Sequence, residues 1–171
     1  MTENLMNEEV GSRNGAGEVG LAEAVPEPID GQIHSQTRVR VRYAETDQMG
    51  VVYHANYLVW FEVGRVELMR QRGLDYKRME IEEECGIAVV EATARYKAPA
   101  RYDDELIVET RVLRVRGPVV RFGYRIVRVE DGLLLCEGET VHVVVGRDMK
   151  RRSMPKKYAE VLGVAASHTE V

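Results

Sequence analysis

The sequence predicts an α+β fold in which five antiparallel strands curve around one long central helix. Three observations carry that expectation. Residues 37–43 alternate strictly between polar and apolar, the period of a half-buried strand. Residues 56–72 form one long segment dense in apolar side chains. From 86 to 145 the chain reads as strands separated by tight turns. Consecutive hairpins give an antiparallel sheet, and a helix that is apolar on most sides needs a surface to bury it.

Each element has its own signal. The first strand, over 37–43, runs into a loop through Glu45, Thr46, Asp47, Gln48, Met49 and Gly50. Tyr57, Leu58, Val59, Trp60, Phe61, Val63 and Val66 crowd the first half of the helix, and Gly73 is a good C-terminal stop. Such a helix should be buried on most sides, with Asn56 as its cap. A short polar helix is expected over 76–84. Strands follow over 86–98, ending at Pro99, and over 106–115, before the turn signal Gly117-Pro118. Residues 119–129 alternate again, Asp131-Gly132 is a hairpin dipeptide, and 133–145 is the last strand. Pro155 introduces a short helix over 158–162.

Composition narrows the function classes. The net charge of −4 is uneven: residues 1–35 hold seven acids against Arg13 alone, which leaves a body of about +2. That surplus tolerates an anionic ligand but is too small for nucleic acid, which asks for a strong basic face. Residues 1–35 also contain five glycines and no aromatic residue. They are expected to form a disordered acidic tail, followed by one domain at 36–163 and a disordered C-terminal tail at 164–171. No apolar run approaches the roughly 20 residues of a membrane span, so no integral membrane association is expected. The start, Met1-Thr2-Glu3-Asn4, has neither the basic beginning nor the apolar core of a signal peptide, and a cytoplasmic protein is expected. Cys85 and Cys136 are too few and too distant for a disulfide framework or a zinc site.

The chemistry is concentrated in Tyr43-Ala44-Glu45-Thr46-Asp47-Gln48-Met49-Gly50-Val51-Val52-Tyr53-His54-Ala55-Asn56-Tyr57, between the first strand and the long helix. A carboxylate just before a helix N-terminus faces the positive end of the dipole and unpaired backbone N–H groups. The same donors can polarise a carbonyl oxygen. Asp47 is therefore a candidate base or nucleophile, with amides near His54 taking the developing charge. Asp47 in a Thr-Asp-Gln-Met-Gly setting also suits a plain turn aspartate, and His54 a locally satisfied helix-start histidine.

Residues 43–57 resemble the signature of the 4-hydroxybenzoyl-CoA thioesterase family, within it most nearly the acyl-CoA thioesterases associated with the Tol-Pal system. The likeness runs from about Val39 to Leu162 and includes Tyr96-Lys97-Ala98-Pro99-Ala100-Arg101-Tyr102-Asp103-Asp104. It implies the hotdog fold, a homodimer or homotetramer, and hydrolysis of an acyl-CoA thioester with no metal and no cofactor. The family's catalytic aspartate falls on Asp47, and its site tyrosine and histidine on Tyr43 and His54. Arg116 matches a basic position suited to the phosphates of coenzyme A, and Tyr57 and Val52 are expected to line the acyl pocket. Ala55 stands where the benzoyl-specific enzymes have Pro, which argues against a hydroxybenzoyl substrate. Glu62 is expected to pair with Arg65 or another base near the subunit contact, and His142 to be packed or paired. A hotdog hydratase or dehydratase acting on acyl-CoA or acyl-carrier protein, and a non-catalytic acyl-CoA-binding module, are the alternatives.

Overall fold

The computed structural model describes residues 34–163. Strand β1 (His34–Arg40) leads through a short 3-10 turn (Tyr43–Glu45) to helix α1 (Asn56–Gln71) and helix α2 (Tyr76–Glu82). Strands β2 (Cys85–Tyr96), β3 (Glu105–Arg116), β4 (Val119–Arg128) and β5 (Leu134–Gly146) follow, then helix α3 (Lys156–Val161). All pairings are antiparallel, in the order β1-β3-β4-β5-β2, so β1 and β2 are the edges. The expected five strands and central helix are thus present. Residues 1–33 of the tail expected at 1–35, and all of the tail expected at 164–171, lie outside the described residues.

Two local readings are corrected. The first strand begins at His34, inside the expected tail, because it pairs β3 from His34↔Arg111 to Arg40↔Glu105. It stops before Tyr43 because the chain winds there, and the Glu45 carboxylate accepts the backbone N–H of Arg42 at 2.7 Å. Asn56 is not the cap of α1 but its first helical residue. Its side-chain amide donates to the Glu45 carbonyl at 2.8 Å.

The core lies between α1 and one face of the sheet. Trp60, Phe61, Leu68 and Met69 of α1 pack against Leu106, Val108, Phe122, Ile126 and Leu135. The helix sits close because the sequence is small where it crosses the strands. A Cβ on Gly64 would strike the Thr110 hydroxyl and come within 2.8 Å of Val108. Gly138 of β5 leaves the space occupied by the Phe61 ring, which stacks on Tyr124 at 4.3 Å.

The helix is not buried on most sides. Leu58, Val59 and Val63 stay 39–48% exposed, and Val89 and Val90 on the neighbouring edge strand 56–59%. No helix among the described residues is long and apolar enough to cross a membrane.

Candidate active site

One carbonyl organises the approach to α1. The Glu45 backbone oxygen accepts from Tyr53 N at 2.9 Å and from Asn56 Nδ2 at 2.8 Å. The loop between is closed by a bridge from Thr46 to Val52 and by Asp47 N donating to the Val51 carbonyl at 2.9 Å. Gly50, at φ 70°, supplies the left-handed residue that so short a reversal requires. Asp47 therefore rides on a small loop pinned beside the first turn of α1. Its Oδ1 accepts the Met49 N–H at 2.8 Å, the local bond of an aspartate turn, and the side chain remains partly open to solvent.

The beginning of α1 has no side-chain cap. Asn56 N donates to the Tyr53 carbonyl at 3.0 Å, but the N–H groups of His54 and Ala55 meet no acceptor among the described residues. These are the orphan donors expected at a helix start, and they carry its positive end. Tyr96 holds that corner in place. Its hydroxyl donates to the His54 carbonyl at 3.1 Å, and its ring meets those of Tyr57 and His54 edge-on.

Asp47 and His54 thus follow the two halves of the Thr46–Val52 bridge, on the stretch that leads from β1 into α1. The His54 ring is exposed and lies 4.4 Å from that of Tyr53. Tyr43 is 79% exposed, its ring edge-on to Tyr102 at 5.8 Å. Val52 and Tyr57 are buried; the Tyr57 hydroxyl accepts from Ala100 N at 3.0 Å, and Val52 N donates to the Ala100 carbonyl at 2.9 Å. Burial raises the Tyr57 phenol above its usual range. Arg116 is exposed at the end of β3, opposite Val119.

Three neighbours were not legible as functional in the sequence. Glu45 anchors the loop, Tyr96 braces the helix start, and the Arg101 guanidinium reaches the Gly50 carbonyl at 3.4 Å. Both cysteines are buried. Burial pushes the Cys136 thiol up to about 11 and raises that of Cys85, so neither supplies a thiolate near neutral pH. Glu62 is exposed and is not paired with Arg65. His142 is buried, with Nε2 2.7 Å from the Thr140 hydroxyl, as a packed and paired histidine should be. Among the described residues no cluster of His, Cys, Asp or Glu is placed to hold a metal ion.

A family model described as the thioesterase-like superfamily matches residues 41–162. The chain belongs to that superfamily. This thioesterase-like chain is 40% identical over 119 residues to the acyl-CoA thioester hydrolase YbgC of Escherichia coli O6:H1, covering 69% of the chain and 87% of YbgC. It resembles the solved DHNA-CoA thioesterase from Staphylococcus aureus at 31% identity and a TM-score of 0.71, covering 75% and 87% of the two chains. A solved 4-hydroxybenzoyl-CoA thioesterase variant, complexed with 4-hydroxybenzoyl-CoA, matches at a TM-score of 0.71 over 76% of this chain and 99% of its own. At 20% identity that likeness speaks for the hotdog fold alone.

Proposed function

We propose that this protein is an acyl-CoA thioester hydrolase, releasing free acid and coenzyme A, with Asp47 as the group on which turnover depends. The observation that supports this reading is a pinned, partly solvent-accessible carboxylate on the loop that leads into a helix start whose preceding N–H groups are unspent. A thioester carbonyl set over His54 and Ala55 would be polarised by those donors, which act most strongly on the oxyanion of the tetrahedral intermediate. Asp47 then activates a water or attacks the carbonyl carbon itself, forming a mixed anhydride that water cleaves. The thiolate of coenzyme A leaves in either route.

The remaining residues take supporting parts. His54 and Tyr43 orient the water or the leaving thiolate. Val52 and Tyr57 form the wall behind the loop, and Arg116 contacts a phosphate of coenzyme A. The exposed apolar strip of α1 and the edge of β2, which has no partner strand among the described residues, support a homodimer or homotetramer, since uncovered edges and contiguous apolar surface call for a partner. Two buried free thiols fit a reducing compartment, the cytoplasm.

A proton-transfer pair for a hydratase is not favoured. His54 precedes α1 and Glu62 lies eight residues on, roughly 12 Å along the axis at 1.5 Å per residue. The test is thiol release from short, medium, long and aromatic acyl-CoAs by the protein and by Asp47→Asn. Asparagine keeps the oxygen that accepts from Met49 N, so fold and binding should persist while turnover falls at least about 100-fold. Retained turnover would remove Asp47 from the mechanism.

A further inference from the structure

The sheet face turned away from α1 gathers arginines at one end of β3. Arg111 stands opposite Gly123, Arg114 opposite Arg121 and Arg116 opposite Val119. In a regular strand residues 111 and 114 would point to opposite faces, but the register shifts between Val112 and Arg114 and resets the alternation. Cross-strand partners share a face. All four arginines therefore lie on the side away from the buried pair of Val112 and Phe122. A Cβ on Gly123 would stand 3.1 Å from Arg111 Nε, which agrees with that placement. Arg114 and Arg121 face each other directly, and like charges so placed repel.

The nearest acids on this face are already engaged. Glu109 takes Arg125 at 2.7 Å, and Glu139 takes Arg121 at 3.5 Å. Arg111, Arg114 and Arg116 form no ion pair among the described residues, and Arg114 and Arg116 are exposed. Lys150, Arg151 and Arg152 add to the positive charge, because the chain after β5 returns beside the turn that follows Arg116. Met154 N donates there to the Gly117 carbonyl at 3.4 Å.

The balancing negative charge is in the same chain. Strand β1 enters the sheet at His34, opposite Arg111, and runs toward Glu105. The residues that precede His34 therefore join the sheet at its arginine end. Residues 1–33 hold seven acids, among them Glu18, Glu23, Glu27 and Asp30, against Arg13 alone. Asp30 is four residues from His34, a reach of at most about 14 Å, and Arg114 lies about 10 Å beyond Arg111. Glu27, with a reach of about 25 Å, extends past Arg116, about 17 Å beyond Arg111.

Resting on the hydrolase reading above, we propose that the acidic segment 18–30 occupies the arginine group of its own chain and competes there with the phosphates of coenzyme A, to which that reading gives Arg116. One exposed ion pair is weak, but several acids on a short tether act at a roughly millimolar effective concentration. An acyl-CoA has to displace the segment, which raises KM and leaves the chemistry at Asp47 untouched.

The contact and the competition are read separately. Both native cysteines are buried, so a nitroxide on Ala24→Cys labels one position. At low salt it should broaden the amide signals of Arg114 and Arg116. That broadening should fade in about 0.5 M NaCl, where exposed charges are screened, and in the variant combining Arg111→Gln, Arg114→Gln and Arg116→Gln. In thiol-release assays at low salt, the full chain carrying Glu18→Gln, Glu23→Gln, Glu27→Gln and Asp30→Asn should show KM lowered at least threefold with kcat unchanged. Broadening that is absent, or that ignores both salt and the arginine substitutions, overturns the contact. An unmoved KM overturns the competition. Thiol release from no acyl-CoA overturns the hydrolase reading alone, and the spectra then still decide whether the segment sits on the arginines.

Discussion

The Glu45 carboxylate accepts the indole N–H of Trp60 at 3.2 Å, tying the start of the Asp47 loop to the second turn of α1. The same carboxylate takes the Arg42 guanidinium at 2.8 Å and the Arg42 backbone N–H at 2.7 Å, although the residue is only 5% exposed. Burial alone would raise its pKa. The bonds from Arg42 and Trp60 outweigh burial and hold the carboxyl below its usual range. Glu45 is thus the buried anion around which the loop is built.

Glu45→Ala should therefore cost about 1–3 kcal/mol, because it strands the Trp60 donor in the core, and it should lower kcat by loosening the loop that carries Asp47. Trp60→Phe removes the donor instead, keeps the Arg42 contacts, and should cost less in both measures. Urea unfolding and thiol-release kinetics on the two variants check the order. Equal kcat in Glu45→Ala and the parent protein would show that the loop holds its shape without this anchor.

How much of this was readable beforehand follows from what kind of contact each feature uses. The strands and α1 were legible because alternation and apolar density are local and periodic. Asp47 and His54 stood out because a motif places them next to a helix start. Glu45 did not, since its partner Trp60 is fifteen residues away and an acid at a strand end reads as surface. The uncovered face of α1 was missed for a related reason. Apolar residues all round a helix say that every side is covered, not whether the cover comes from the same chain.

Gly64 is the position at which α1 touches β3. Gly64→Ala must push the helix off the Thr110 hydroxyl and Val108, against a rigid sheet rather than a flexible side-chain end. Overpacking of this kind costs about 1–3 kcal/mol despite the better helix propensity of alanine. Thermal unfolding should register a lower Tm. A Tm at or above that of the parent would mean the two elements can separate freely.

Acid should weaken the fold through His142 before it reaches Glu45. Burial, reinforced by the nearby Arg65 charge, pushes the His142 imidazole down from 6.5 to about 4. Below pH 6.5 the unfolded chain binds a proton that the folded chain refuses, so stability falls as pH drops from 6.5 to about 4, by at most about 1.4 kcal/mol per pH unit. Glu45 has the lowered pKa of a paired carboxylate. Its contribution is present above the unfolded carboxyl range and is lost as pH falls further, through its folded value. Denaturant unfolding of the protein and of His142→Leu at several pH values separates the two. The variant should lose the slope between pH 6.5 and 4 and keep the one below it; an unchanged upper slope would assign it to other groups.

The last prediction concerns the open edge. Strand β2 carries a bulge between Val89 and Glu91, with Val90 out of register with β5, and its outer edge pairs with nothing among the described residues. Beside it stand Leu58, Val59 and Val63 of α1, which with Val89 and Val90 form one apolar strip. A second copy set against this strip would cover both the helix face and the edge of β2. Val63→Asp and Val90→Asp put charges into that contact without touching the core, so folding of the single chain should be little changed. Light scattering should report the parent as a dimer or tetramer and the double variant as smaller, with a fall in kcat/KM that follows the loss of assembly. A double variant of unchanged mass would mean that subunits meet on some other surface, and the exposed valines would then need another partner.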